Sequence, residues 1–271
     1  MTSDLTRIRS SDVIIGLGLG IGAGSQTFAY NYTNAEAAAY VAAMSVNPTD
    51  TRKGLIDTFI GSLKSAGVWS LLDLIYLMAA HDSQAGLLNL KAPASFTLVP
   101  VASPVFATDL GYTGDGSSSY LRTQWNGSTN GVNFTLNNAS AWAWCTTSGG
   151  TFDHACGAND NTHRTYLGPN LQSYRVNGPE NTGSTTPVGL HGVSRASSST
   201  TKGWKNGVQV GSDFTATSDA VANAEMWVCS ESNGDHCTNQ VAFAAFGAAL
   251  TGKEVAFYNA VQTYLHAIGA A

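Results

Sequence analysis

Beyond Pro93 the chain is divided into short runs of alternating apolar and polar residues, and glycine, asparagine or serine separates each run from the next. In an extended strand, alternation places every second side chain on one face, so each run can cover one side of a core. The runs are 120–124, 132–136, 141–145, 163–167, 171–176, 202–205, 208–210, 225–230 and 241–247. Many short strands broken by regular turns are typical of a β-sandwich or a barrel, so the sequence predicts a mainly β domain over residues 93–271.

Two local patterns near the C-terminus sharpen this prediction. The pair Asn206-Gly207 stands between strand-forming residues and predicts a type I′ hairpin, with an ordinary loop as the alternative. Thr251 and Glu254 have the spacing of a capping box, and a helical stripe of apolar residues follows them. We therefore expect the domain to end in a helix.

Residues 34–92 have the apolar period of helices. Asn34 is a candidate N-cap for a first helix, a second begins near Thr49 and stops at Gly67, and a third is predicted from Ser70 through Met78. A unit of roughly 55 residues buries little core on its own. The pattern predicts a small three-helix attachment segment that packs on the sandwich or on another subunit.

Residues 1–33 contain a run in which every second position is apolar and the intervening ones are glycine. This period of two predicts an extended arm that binds a neighbouring subunit; an edge strand of the chain's own fold and a signal-peptide core are the alternatives. The run is too short to cross a bilayer as a helix, and no helix follows it to make a dinucleotide-binding loop. The apolar residues of the arm are Val13, Ile15, Leu17, Leu19 and Ile21.

The composition excludes several classes of partner. Charged residues make up only 11% of the chain and the formal net charge is −5, so there is no basic field to attract phosphates. We expect no nucleic-acid partner and no membrane insertion. A neutral, polar surface suits sugars and protein surfaces better.

The segment 193–210, from VSR through KGWKNGVQV, resembles the penultimate hairpin of laminin-G and concanavalin-like jelly rolls. The segment 241–258 resembles the closing strand, turn and helix of that family. A wider pattern runs from Ala35 to the C-terminus: AAAYVAAM at 37–44, IDTFIGSLKSAGVWSLLDLIYLMAAHDSQAGLLNLKAP at 56–93 and GYTGDGSSSYL at 111–121, followed by the jelly roll. This order resembles a module of phage and prophage virion proteins. That resemblance implies a non-enzymatic structural protein without a cofactor, such as a tail fibre, spike, collar or capsid decoration protein. It also implies assembly in the host cytoplasm, a lectin-like domain exposed on the particle, other virion proteins as partners and a homo-oligomer. The alternative is a receptor-binding lectin that recognises a host surface glycan.

A lectin-like site would need aromatic rings that stack on sugars and amides that bond their hydroxyl groups. Candidates in the sequence are Tyr112, Trp125, Asn126, Trp204 and Asn206, although each also suits a core or a turn. Asp115 lies among glycines and is a weak candidate for calcium, with a turn aspartate as the favoured alternative.

The four cysteines form two pairs, each centred on a turn-forming sequence. Cys145 with Cys156 and Cys229 with Cys237 are therefore candidate cross-strand disulfides, while cross-pairing, bonds between subunits and free thiols stay open. His154 and His236 stand beside Cys156 and Cys237, which raises the further alternative of a zinc site.

Catalytic motifs are absent from the sequence, because it has no serine elbow, zinc-protease helix or phosphate loop. Glu225 and Glu231 share a predicted strand but stand too far apart for a glycosidase pair if the strand is extended. A depolymerase built from loop acids such as Asp153, Asp160 and Glu180 is the remaining enzymatic alternative.

Overall fold

A computed structural model describes residues 30–150, 153–232 and 234–271. Asn31–Ala271 form one compact unit. The boundary predicted between residues 92 and 93 falls within this unit, because the preceding helices pack on the sandwich. The predicted arm residues Val13, Ile15, Leu17, Leu19 and Ile21 lie outside the described residues.

The described residues form four α-helices and fourteen strands. The helices are α1 Ala35–Ala42, α2 Asp50–Ser65, α3 Gly127–Asn130 and α4 Glu254–Ala267. The strands are β1 Leu72–Leu77, β2 Val99–Val101, β3 Val105–Ala107, β4 Gly111–Thr113, β5 Tyr120–Asn126, β6 Ala139–Cys145, β7 Cys156–Asn159, β8 Arg164–Leu167, β9 Tyr174–Val176, β10 Gly189–Arg195, β11 Thr200–Lys205, β12 Val208–Thr215, β13 Glu225–Val228 and β14 Gln240–Gly247.

The strands form two antiparallel sheets, which confirms the predicted β-sandwich. The eight-stranded sheet has the order β12-β11-β10-β6-β14-β4-β3, with β1 also paired to β14. The six-stranded sheet has the order β2-β5-β13-β7-β8-β9.

The eight-stranded sheet is the middle of three layers. On one face its side chains meet the six-stranded sheet in a core that includes Phe246 and Trp125. On the other face they meet the helices, where Phe243 packs against Phe59 of α2. Along β5, buried residues alternate with exposed ones, so the second face of the six-stranded sheet is turned away from the core. That outer face carries the candidate site.

The predicted third helix is wrong, because residues 72–77 form strand β1. β1 pairs with β14 and is buried on both faces, between the helices and the six-stranded sheet. A short strand that is apolar on both faces has no period of two, and its sequence cannot be distinguished from that of a buried helix by periodicity alone. Residues 34–92 thus contain two α-helices and contribute a strand to the sandwich.

Other local predictions have mixed outcomes. Asn206 and Gly207 both have positive φ, 50° and 77°, which confirms the type I′ turn. Thr49 caps α2 by accepting a hydrogen bond from the backbone N–H of Arg52. The capping box is wrong: α4 begins at Glu254 with Lys253 as its N-cap and no side-chain cap. Within the described parts of the chain, no helix has the length and apolar character that a bilayer crossing requires.

Candidate functional site: a polar cleft on the outer face

A cleft of about 450 Å³ opens on the outer face of the six-stranded sheet, above β7, β8 and β9. Strand β8 supplies its floor, because alternation turns Thr165 and Leu167 inward and leaves Arg164 and Tyr166 facing outward. The loop that precedes β7 and the loops that follow β8, β9 and β13 supply its walls. The lining residues are Asp153, His154, Arg164, Tyr166, Gly168, Asn170, Gln172, Ser173, Glu180, Thr182 and Asp235.

Behind the cleft lies a buried carboxylate, Glu231, which is 1% exposed. Arg164 donates hydrogen bonds to both of its oxygens, and Asn159 Nδ2 donates a third at 3.0 Å. Burial raises the pKa of Glu231, and the charge and hydrogen bonds of Arg164 oppose this rise. Arg164 also donates to Asp235 Oδ2 at 3.1 Å, so one guanidinium joins two carboxylates.

The imidazole of His154 faces the same two carboxylates. Its Nδ1 atom is 3.7 Å from Glu231 Oε2 and 3.6 Å from Asp235 Oδ2, beyond hydrogen-bonding distance. This buried nitrogen has no hydrogen-bond partner among the described residues. Burial is the main cause that lowers the pKa of His154 to about 4, so the ring is neutral at pH 7.

Tyr166 is held on all sides rather than presented to a ligand. Its ring stacks on His154 at 4.2 Å between centroids, and the Arg164 guanidinium lies 4.6 Å from the ring centre. Its hydroxyl donates to Glu180 Oε2 and accepts from Ser173 Oγ. Burial is the main cause that raises the pKa of Tyr166. Since Tyr166 is only 1% exposed, the cleft offers hydrogen-bonding groups and no free aromatic face on this strand.

The charges of the cleft are unequal. Among the described residues that line it, Arg164 is the cation and Asp153, Glu180 and Asp235 are the anions, while Glu231 lies behind the cleft. Asp153 Oδ2 is already engaged by the backbone N–H groups of Gly150 and Thr238. The excess of carboxylates disfavours an anionic ligand and is compatible with a neutral one.

A second aromatic group lies on the same outer face. Trp227 stacks on Tyr120 at 3.9 Å between ring centroids, and His236 contacts Tyr120 at 5.5 Å. Trp227 is opposite Gly157 where β13 pairs with β7. Glu231 forms an isolated parallel β-bridge with the same glycine. The aromatic group is therefore a neighbour of the cleft.

The residues predicted to contact sugars lie elsewhere. Tyr112, Trp125 and Trp204 are 3%, 1% and 9% exposed and pack in the cores, so their ring faces are not available to a ligand. The side chain of Asn126 accepts from the backbone N–H of Ser128, and that of Asn206 accepts from the backbone N–H of Leu190. These five residues have the core and turn roles that the sequence left open.

Asp115 is a turn aspartate, the alternative that the sequence favoured. Its Oδ1 accepts hydrogen bonds from the backbone N–H groups of Ser117, Ser118 and Ser119. These bonds lower the pKa of Asp115. The carboxylate is thus committed to its own loop.

The four cysteines are buried thiols in the core between the sheets. Cys145 and Cys156 do not flank a hairpin, because β6 and β7 belong to different sheets. Cys237 donates a backbone hydrogen bond to Cys229 at 2.9 Å, so these two are neighbours, and a disulfide between them stays a prediction. The zinc site suggested for these cysteines with His154 and His236 is not assembled. The ring of His154 stacks on Tyr166 and the ring of His236 is tilted against Tyr120, whereas the cysteines lie in the core between the sheets.

The sequence identifies some of the residues that line the cleft. Asp153 and Glu180, named there as loop acids, both line it, whereas Asp160 instead bonds the backbone of His163 and Asn223. Arg164 and Tyr166 were missed as site residues. Their positions two apart in the predicted strand 163–167 place them on one face, and this signal could have identified them.

Comparisons with known proteins place the chain in no family, since no family model and no curated protein matches it. Among solved structures, domain 4 of a GH43 extracellular arabinanase from Geobacillus stearothermophilus, in complex with arabinotriose, matches at 16% identity with a TM-score of 0.43; the match covers 69% of this chain and 100% of that domain. A sialidase from Trypanosoma rangeli matches at 10% identity with a TM-score of 0.39. This second match covers 78% of the present chain and 39% of the sialidase.

Proposed function

We propose that this β-sandwich is a non-catalytic carbohydrate-binding unit whose site is the outer-face cleft above β8. The observation that carries the proposal is the cleft itself, about 450 Å³ in volume and lined by amide, hydroxyl, carboxylate and guanidinium groups. Sugars are recognised through such groups, because each hydroxyl both donates and accepts hydrogen bonds. A pocket of this size is in the range of small-molecule sites.

The charge of the cleft defines the class of sugar. In the described part of the cleft the carboxylates outnumber the one guanidinium, and Arg164 is already paired with Glu231 and Asp235. A uronic or sialic acid would meet uncompensated negative charge on entering. We therefore propose neutral sugars or amino sugars as ligands.

A glycan array probed with the full chain tests this proposal, and isothermal titration calorimetry measures the affinity of each glycan that binds. Gln172→Ala removes an exposed amide from the cleft wall without breaking a side-chain hydrogen bond of the fold, and we expect it to weaken binding several-fold. Gln209→Ala on β12 is the control: it removes an amide that donates to Asp213 Oδ1, and it should leave the affinity unchanged because it lies on the other sheet. Absence of binding to every neutral and amino sugar, or a preference for acidic sugars, would contradict the proposal.

The position of the protein in a virus particle is a separate proposal. It is supported by the resemblance of residues 35–271 to phage and prophage virion modules, with the sandwich displayed as part of a fibre, spike, collar or decoration protein. On this proposal its partners are other virion proteins and further copies of the chain. Immunogold labelling of purified particles is expected to mark their surface, and particles that lack the protein would contradict it.

A further inference from the structure

The cluster of His154, Glu231 and Asp235 has the geometry of a metal site. One ligand atom from each residue lies within 4.8 Å of the other two. His154 Nδ1 approaches Glu231 through Oε2 and Asp235 through Oδ2. Zinc binds nitrogen and oxygen ligands at about 2.0–2.2 Å, so the ligand atoms of a tetrahedral site are roughly 3.3–3.6 Å apart. The observed separations of 3.7 and 3.6 Å between His154 and the two carboxylates require little adjustment.

The unpartnered nitrogen of His154 is an independent indication. His154 is 5% exposed, and its Nδ1 is buried without a hydrogen bond while it faces two carboxylate oxygens. A buried polar atom with no partner costs free energy, and most buried polar groups in native proteins have a hydrogen-bond partner. A cation between these three atoms would accept the lone pair of the neutral imidazole and neutralise the carboxylates.

The net charge of the cluster and the hydrogen bonds to its carboxylates also favour a bound cation. Two carboxylates and one guanidinium leave one negative charge uncompensated when the imidazole is neutral. Arg164 holds Glu231 in a forked hydrogen bond, and Asn159 bonds the same carboxylate, in the manner of groups that orient metal ligands. Each carboxylate oxygen has a second lone pair that these bonds leave available.

The donor set selects the metal. One imidazole with two carboxylates suits zinc and related transition-metal ions, whereas calcium takes oxygen ligands and rarely imidazole. The cysteines of neighbouring sequence, Cys156 and Cys237, point into the core between the sheets and are not part of the set. His154 and Asp235 both line the cleft, so the fourth coordination position would open towards it.

We propose that His154 Nδ1, Glu231 Oε2 and Asp235 Oδ2 bind one Zn²⁺ ion at the wall of the outer-face cleft. The site goes beyond the proposed sugar binding and does not depend on it, since the ion is bound by protein atoms alone. An open fourth position would allow a ligand hydroxyl in the cleft to reach the metal.

Calorimetric titration of the full chain with ZnCl2, after chelator treatment and under reducing conditions, tests the site without any sugar. We expect one Zn²⁺ per chain and a rise in the melting temperature on zinc addition. Asp235→Asn replaces a charged ligand by a neutral amide and should abolish that rise. It should weaken zinc binding by about tenfold or more, since even the loss of a group that only orients a ligand costs about tenfold. The Asp235 side chain is 53% exposed, so this variant is expected to fold. His154→Gln should weaken binding at least as much, with circular dichroism as the check of folding.

The matched control is His236→Gln, which removes the neighbouring imidazole outside the proposed set and should leave zinc affinity unchanged. Cobalt in place of zinc should give a spectrum without the near-ultraviolet thiolate charge-transfer band. Any of four results would overturn the proposal: no zinc bound, unchanged affinity in Asp235→Asn, tighter binding of Ca²⁺ than of Zn²⁺, or a thiolate band with cobalt.

Discussion

Gly192 of β10 lies directly opposite Trp142 of β6, and the indole ring covers the space where a Cβ atom of residue 192 would stand. Across the other edge of β10 the same glycine is opposite Trp204 of β11. The two indoles contact each other, with ring centroids 6.4 Å apart, and both pack in the core beneath the helices. A glycine in the middle of a strand thus provides the space in which two tryptophans meet.

Gly192→Ala is therefore expected to lower the free energy of unfolding by about 1–3 kcal/mol, because the added methyl group overlaps the buried Trp142 ring. Urea denaturation followed by tryptophan fluorescence measures the change. Gly61→Ala is the control: it lies inside α2 with its Cβ position at ordinary contact distance, and it should stabilise by about 0.5–1 kcal/mol. Equal effects of the two substitutions would contradict the close contact.

Arg164→Met is expected to destabilise the fold by about 3–5 kcal/mol, because it leaves the buried Glu231 carboxylate without its main partner. Denaturant unfolding at pH 7 measures this effect. Arg122→Met is the matched control on the same sheet: the Arg122 side chain is 47% exposed in its pair with Glu225, and its loss should cost less than about 1 kcal/mol. If Arg164→Met lowered the free energy of unfolding as little as the control does, the buried Glu231 carboxylate would not need Arg164 for its stabilisation.

Because His191 is buried, we expect the folded protein to lose stability in acid. It is 1% exposed and lies 3.1 Å from Lys205 Nζ; burial, followed by that positive charge, lowers its pKa from 6.5 to about 3. A folded-state pKa below the unfolded value means that the unfolded chain takes up the proton. Neutral His191 thus contributes to the free energy of unfolding above about pH 6.5, and this contribution is lost as the pH falls towards 3.

His191→Gln removes this dependence. Between pH 7 and pH 5, the stability of the original protein relative to the variant should fall by about 2 kcal/mol, because each unit of pKa shift corresponds to about 1.4 kcal/mol. Unfolding curves of both proteins at the two pH values give the comparison. A difference that does not change with pH would be inconsistent with a buried, neutral His191.

The thiols are expected to be protected in the folded state. Cys145 and Cys156 are fully buried, and burial raises the pKa of both, so neither is a ready thiolate. In protein isolated under reducing conditions, a disulfide reagent such as Ellman's should react slowly with the native chain and titrate all four cysteines after unfolding. Rapid reaction of the native protein would contradict the placement of these residues in the core.

Local patterns predicted much of the fold. The Asn206-Gly207 hairpin, the start of α2 after Thr49 and the strands β5, β6, β8 and β14 follow from turn chemistry and alternation, which depend on neighbouring residues. Strand β10 is not among the predicted alternating runs, because its sequence GLHGVSR has two glycines and no clear period; its place depends on pairing with β6 and β11. The run 132–136 was predicted as a strand, yet it is held as a loop by hydrogen bonds to Asp73.

The sequence by itself determined the class of fold, the Asn206-Gly207 hairpin and the helices α1, α2 and α4. Each of these depends on the order of apolar, polar and turn-forming residues over a few positions. Tertiary structure alone decided that residues 72–77 are a strand, that Tyr112, Trp125 and Trp204 belong to cores, and that His154, Arg164 and Glu231 meet. The physical reason is that these outcomes depend on which strands become neighbours. Periodicity defines the two faces of a strand, whereas only sheet packing decides which face is buried and which distant residues share it.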